Sequence, residues 1–402
     1  MKKWKLGLKI NWRTAFFCAA CSIVSVLVCL TVILHSVGGA GRVPALMKYA
    51  EMLRLIESSY IGDYDAKALG DAAVGAAVAS LGDRWSWYMS AEDYSQYKLR
   101  EANQYSGIGI TIEPVPETDG GGMRIVSVRE NTPAANAGVE SGMIMLEVAG
   151  EDIRFLETAG VRDIITRQEG REFLVRLRRD DGAELVVTVK SEPIYTPPVE
   201  WELFESGIGY ISIANFDSGA GDGVRQALTE LAEAGARGIV FDVRNNPGGK
   251  VSELTSCLDA MLPKCVVFVA VDSGGKITET FSDAEFVDLP AAVLVNENSY
   301  SAAEYFAAAL EEHGAATIVG SPTTGKSHSQ LTFVLSDGSA VHISTAGYLT
   351  PNHVDLTETG GLRPKIDVPI TDDERALLNA GLLEPESDPQ FRAAMAEISS
   401  QA

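Results

Sequence analysis

Ser299-Tyr-Ser301-Ala-Ala-Glu304 leads from the apolar run Ala291–Val295 into an alanine-rich stretch of helical character. A serine at such a junction exposes its hydroxyl, and the first N–H groups of the helix face any negative charge that develops beside it. The same string, Ser301-x-x-Glu304, is also a capping box that needs no chemistry. On local sequence alone the cap is the stronger reading. A nucleophile further needs a base, and no GxSxG elbow is present. His313, His328, His342 and His353 have no carboxylate at a telling spacing. Lysine can replace histidine when burial brings its pKa toward neutrality. Lys326 lies in a short glycine-flanked loop between the apolar runs TIVG and QLTFVL, and Gln330 follows it by four positions and can orient its amine. Against this, a chain of net charge -22 tends to raise a lysine pKa.

Three further strings bear on chemistry. Gly320-Ser-Pro-Thr-Thr-Gly325-Lys326-Ser327 fits the phosphate-loop pattern GxxxxGK[ST]. A phosphate loop must open into a helix, however, and this one continues as an alternating strand that turns at Ser336-Asp-Gly338. Nucleotide binding is therefore not expected. Arg244-Asn-Asn-Pro-Gly248-Gly249 follows the strand-like GIVFDV. Its glycines let backbone N–H groups face a cleft, or else form a plain turn. Gly107-Ile108-Gly109-Ile110 opens a β-rich stretch, where a glycine loop beside a strand edge can hold a terminal carboxylate and an extended peptide.

These residues need a scaffold, and 402 residues suffice for two or three folded units. With 46% hydrophobic and 22% charged residues the chain can bury real cores. Its charge of -22 repels phosphate backbones, so nucleic acid is not an expected partner. Ala15 to Leu34 is uncharged and, at 1.5 Å per residue, matches a ~30 Å hydrocarbon core. Lys2, Lys3, Lys5, Lys9 and Arg13 precede it, which predicts a cytoplasmic start and an extracytoplasmic remainder; a cleaved signal peptide is the competing reading. The expected layout is a cytoplasmic tail (1–14), a single-pass anchor in the cell membrane (15–37), a helical segment (44–98), a β-rich domain (99–191), an α/β domain (192–372) and a helical tail (373–402). Glu192 to Pro198 reads as a linker. Of five cysteines only Cys257 and Cys265 lie outside the anchor, too few for a disulfide framework or a zinc site.

Together these pieces resemble the C-terminal processing (tail-specific) peptidases. Phe241-Asp-Val-Arg-Asn-Asn-Pro-Gly-Gly249 looks like that family's strand-and-loop motif, and Ser301 before Ala-Ala-Glu like its nucleophile motif. Lys326 lies 25 positions after Ser301, matching the family's spacing from serine to lysine. Gly107 to Ile110, Pro133 to Gly138 and Glu147 to Gly150 look like loops of its PDZ domain. The resemblance implies a crotonase-like or ClpP-like α/β core with an inserted PDZ domain. It implies Ser301 as nucleophile, Lys326 as general base, Gln330 as the residue holding the base, and Ala302 with Gly248 or Gly249 as oxyanion hole. Substrates would be proteins with apolar C-termini, received by Gly107, Ile108, Gly109 and Ile110 with Val161, Ile164 and Ile165 of a facing helix. No cofactor or metal is implied, and a homo-oligomer or a regulatory partner remains open. Tyr300, Ser327, Met143 and Lys365 depart from the family's usual residues. The alternative is a non-catalytic, membrane-tethered PDZ scaffold in which Ser301 is merely a cap.

Overall fold

The computed structural model describes residues 12–36 and 39–401. The chain forms two compact units, one up to Gly70 and one from Asp71 onward. The first holds helices α1 (Trp12–Ser36) and α2 (Val43–Ser59), the latter with no buried residue. The anchor expected over Ala15 to Leu34 falls partly on positions 30, 33 and 34, whose side chains lie outside the described set. Lys2, Lys3, Lys5 and Lys9 lie outside it too. Among the described residues no helix is long and apolar enough to cross a membrane.

The stretch expected to be helical throughout is interrupted. After α3 (Ala66–Ala79) the chain forms a short strand, β1 (Trp87–Met89), and then α4 (Ala91–Glu101). The aromatic run Trp85-Ser-Trp-Tyr carries β rather than helical preference. Ser90 then starts α4 by accepting the Asp93 N–H at 3.1 Å.

The β-rich region runs from β2 (Gln104–Gly107) through β3 (Ile110–Pro114), β4 (Met123–Val128), the short α5 (Pro133–Asn136), β5 (Ile144–Val148), β6 (Glu151–Asp152), α6 (Thr158–Thr166), β7 (Glu172–Arg178) and β8 (Glu184–Lys190) to β9 (Glu192–Tyr195). Its main sheet has the order β3-β4-β5-β7-β8, with β6 on β5, and closes over Met123, Ile125, Met145, Leu177 and the inner face of α6. The segment read as a linker begins as β9, which pairs antiparallel with β2. Pro193 cannot donate to a ladder, yet it is tolerated in this two-stranded ribbon.

The remainder is an α/β layer. Strands β10 (Val199–Leu203), β11 (Ile208–Ile213), β12 (Gly238–Asp242), β15 (Ala291–Val295), β16 (Ala316–Gly320) and β19 (Ile366–Asp367) lie side by side in that order, parallel from β11 onward. One face is covered by α7 (Ala220–Glu233), α8 (Val251–Asp259) and α9 (Ala302–Glu312). The opposite face meets α12 (Pro389–Gln401). Alternation along β12 and β15 sends Ile239, Phe241, Val293 and Val295 to the first face and Val240, Ala292 and Leu294 to the second. Burial on both sides is why these strands read as continuous apolar runs. A second sheet, β1-β18-β13-β14 with β17 on β18, is built from β13 (Val266–Asp272), β14 (Ile277–Phe281), β17 (His328–Val334) and β18 (Ala340–Leu349). Short α10 (Leu356–Thr359) and α11 (Asp372–Asn379) complete the chain. Cys257 and Cys265 are both free thiols.

The C-terminal helix is therefore part of the core. Phe391, 1% exposed, packs against Phe204 and Tyr210 at ring distances of 5.1 and 5.5 Å. Just before it, Asp388 Oδ2 meets Arg244 Nη1 at 2.6 Å, an ion pair without the alignment of a hydrogen bond, and Gln390 accepts from the same nitrogen at 3.0 Å. Phe391→Ala should lower unfolding stability by about 3–5 kcal/mol, read as a reduced midpoint in urea with little change in slope.

Candidate active site

The carboxyl ends of β12, β15 and β16, three adjacent parallel strands, feed the loops that carry Gly248, Ser301 and Lys326. Such strand ends are where open α/β sheets place ligands. Ser299 stitches two of these loops together: its hydroxyl donates to the Val243 carbonyl at 2.7 Å and accepts the Asn296 N–H at 3.0 Å. That leaves Ser301 as the serine at the helix start. Its backbone sits at φ 56°, ψ -126°, a conformation costing about 1–3 kcal/mol for a residue with a Cβ and typical of sites where geometry is imposed.

Ser301 and Glu304 stand in a capping-box relation, but no side-chain hydrogen bond fixes the Ser301 hydroxyl to the cap. The Glu304 N–H is taken by the Ser301 carbonyl at 2.8 Å. The Glu304 carboxylate, fully buried, reaches further than its own helix. It accepts the Ser301 N–H at 2.9 Å, the Thr323 hydroxyl at 2.5 Å, the Gly325 N–H at 2.7 Å and the Lys326 N–H at 2.9 Å. Burial pushes its pKa up, and these four donors oppose that rise. The N–H groups that a phosphate loop would offer to a nucleotide are thus turned to an internal carboxylate. The loop also enters β17 rather than a helix.

Lys326 is largely buried, and loss of solvent lowers its amine to about 8, with Arg84 adding to the effect and Asp83 and Glu304 opposing it. The residues around it come from the lead-in segment as well as the core. Nζ lies 4.4 Å from the Trp85 ring centre and 5.9 Å from that of Tyr300. Among the described residues no hydrogen bond joins Nζ to Ser301 Oγ. Asp83 remains an anion here: burial raises its pKa, but hydrogen bonds from Ser86 and Ser344 outweigh that and hold it below the ordinary value. His342 is driven to about 4 by burial and by Lys326, so it is neutral; its ring lies 4.2 Å from that of Trp87.

Ser301, Lys326, Gln330, Gly248 and Gly249 line one cleft. Gln330 does not bond to the lysine: its amide nitrogen donates to the His328 carbonyl at 2.9 Å and to Ser344 Oγ at 3.1 Å. The two glycines differ. The Gly248 N–H is already given to Asn246 Oδ1 at 2.8 Å, whereas the N–H groups of Gly249 and Ala302 have no partner among the described residues. Gly248, at φ 90°, lies so close that a Cβ there would stand 2.8 Å from Ser301 Cβ and 2.9 Å from Ala302 N. Ser327 uses its hydroxyl to accept the Thr357 N–H at 2.8 Å.

A second groove lies in the β-rich region, lined by Gly107, Ile108, Gly109, Ile110 and Ile165. The Ile108 and Gly109 carbonyls are taken by Ala134 and Arg129, while their N–H groups have no partner among the described residues. Val161 and Ile164, expected on this groove, instead pack into the domain core at 0% and 2% exposure. The helical period turns those two positions inward, and Thr158, Arg162, Ile165 and Thr166 form the groove side of α6.

Residues 207–368 match peptidase family S41. Beyond that region, a carboxyl-terminal-processing protease of Picosynechococcus sp. is 30% identical over 333 residues, covering 80% of this chain and 77% of the relative. The chain belongs to the C-terminal processing peptidases of family S41. The carboxy-terminal processing protease CtpA of Bacillus subtilis is 28% identical over 79% of the chain and 67% of its own length. The fold is shared with a putative S41 protease from Bacteroides fragilis, at 18% identity and a TM-score of 0.51 over 86% of this chain and 93% of that one. This S41 protein is accordingly a serine-type peptidase, which sets aside the scaffold without catalysis.

Glu304→Gln would replace one carboxylate oxygen by a donor facing two donors. The peptidase should lose about 2 kcal/mol or more of stability together with most activity, measured by thermal unfolding and peptide hydrolysis. Gly248→Ala should abolish turnover while substrate binding persists, tested by comparing kcat with the Kd of an uncleaved peptide.

Proposed function

We propose that this S41 peptidase cleaves extracytoplasmic proteins, with Ser301 as nucleophile and Lys326 as general base. The observation that carries this reading is an amine lowered to about 8 in the same cleft as a strained serine at a helix start. In the reaction, neutral Lys326 Nζ takes the proton from Ser301 Oγ as Oγ bonds to the scissile carbonyl carbon. The oxyanion is met by the unpartnered N–H groups of Ala302 and Gly249, aided by the N-terminus of α9. The lysine ammonium then protonates the departing amine, and the same amine activates water to release the acyl group.

In the resting arrangement the amine lies over Trp85. A swing about its own side-chain torsions brings it to Ser301, where Gln330 Oε1, without a partner among the described residues, can accept from it. We assign that swing to substrate capture. A base misplaced by ~1 Å costs on the order of a hundredfold in rate, so a small displacement suffices as a gate. Capture falls to the β-rich region, read as a PDZ domain: free N–H groups at Ile108 and Gly109 for a tail carboxylate, β3 as the edge along which the tail extends, and Ile110 and Ile165 for an apolar last residue. The α/β layer is read as crotonase-like. The uncharged run Ala15 to Leu34, preceded by lysines and an arginine, supports a membrane anchor with the peptidase outside the cytoplasm.

The neutral amine is the active form, and its fraction grows as pH rises through about 8. Hydrolysis should therefore climb with pH and level off above that value, whereas a profile flat from pH 6 to 10 rejects the lysine as base. Ser301→Ala and Lys326→Ala should each lose at least about a thousandfold in kcat, and Ser301 should fail to take up an acylating inhibitor once Lys326 is replaced. Extraction of the full chain from membranes by alkaline carbonate would reject the anchor.

A further inference from the structure

The tail-binding groove holds a cation without an assigned counterpart. In this domain the guanidinium groups of Arg124, Arg154, Arg167 and Arg176 each meet a carboxylate, of Glu113, Asp152, Glu151 and Glu147 in turn. Arg162 lines the groove and is exposed, and its guanidinium makes no ion pair or hydrogen bond among the described residues. Its chain neighbour Asp163 does not answer it, since successive helical residues do not face one another.

Position decides what Arg162 can read. It precedes Ile165 by three residues, ~4.5 Å along the helix axis. A peptide extended beside β3 presents alternate side chains to α6, spaced by ~6.6 Å. With its carboxylate on the Ile108 and Gly109 N–H groups and its last side chain against Ile165, the next side chain facing the helix is that of the third residue from the end. A long arginine one turn back reaches it, and Thr158 on the same face adds a hydroxyl.

Resting on the capture reading above, we propose that α6 selects polypeptide tails with an apolar last residue and Asp or Glu at the third position from the end. The net charge of -22 opposes acidic peptides at long range, so discrimination falls to this local contact. A charge-assisted hydrogen bond at a partly solvated groove corresponds to a preference of about threefold to tenfold.

The test uses the full chain carrying Ser301→Ala and fluorescent decapeptides ending Ala-Glu-Ala-Val, Ala-Ala-Ala-Val or Ala-Lys-Ala-Val, followed by anisotropy. The Glu tail should bind tightest and the Lys tail weakest, with the difference shrinking in high salt. Arg162→Lys should keep the order, and Arg162→Glu should reverse it. Equal affinity for the three tails, or the same gain when Glu moves to the adjacent position, overturns the selectivity and leaves capture standing. No binding to any tail, with amidated and free tails alike, overturns both.

Discussion

A single buried carboxylate ties the two halves of the candidate active site together. Glu304 spends its oxygens on the backbone at Ser301 and on the loop from Thr323 to Lys326. The helix that presents the serine and the loop that carries the lysine are thus set relative to each other by four hydrogen bonds converging on one charge. A charge so deep in the fold is tolerable only when fully solvated by donors, and that requirement makes the arrangement all-or-none. The strained backbone at Ser301 is held by this carboxylate through its N–H, and the missing side chain at Gly248 leaves the space that this conformation occupies.

The lysine is governed differently. Its backbone is fixed by Glu304, but its amine is placed by an aromatic wall, Trp85 and Tyr300, that excludes water and lowers its pKa. Trp85 and Asp83 belong to the segment between α3 and α4, well before the core in sequence. The α/β layer by itself therefore does not contain the environment that sets the Lys326 amine. Tyr300, which departs from the family's usual residue, forms part of that wall.

Much of this was legible in the sequence. Apolar runs bounded by turn residues mark β11, β12, β15 and β16 because burial on both faces leaves few polar positions in them. The spacing from Ser301 to Lys326 to Gln330 marks three residues that share a cleft. Other features were hidden because they depend on tertiary contacts. Glu304 reads as a local cap, and only the fold shows that a second loop comes to the same carboxylate. The β1 strand is three residues long and exists through its pairing with β18, far along the chain. Which glycine of Gly248-Gly249 keeps a free N–H depends on the Asn246 side chain, and which face of α6 looks outward depends on the angle at which it meets its sheet.

The second face of the central sheet is closed by residues 391–398, which lie some seventy positions after the last of the three strands whose ends form the cleft. Without that closing helix, Val240, Ala292, Leu294 and Val319 lose Phe391, Ala394 and Ile398 from their cluster, and without Asp388 just before it Arg244 keeps Asp242 as its carboxylate partner. A hydrolase chain cut short of residue 391 therefore leaves one apolar face of its central sheet without the helix that covers it.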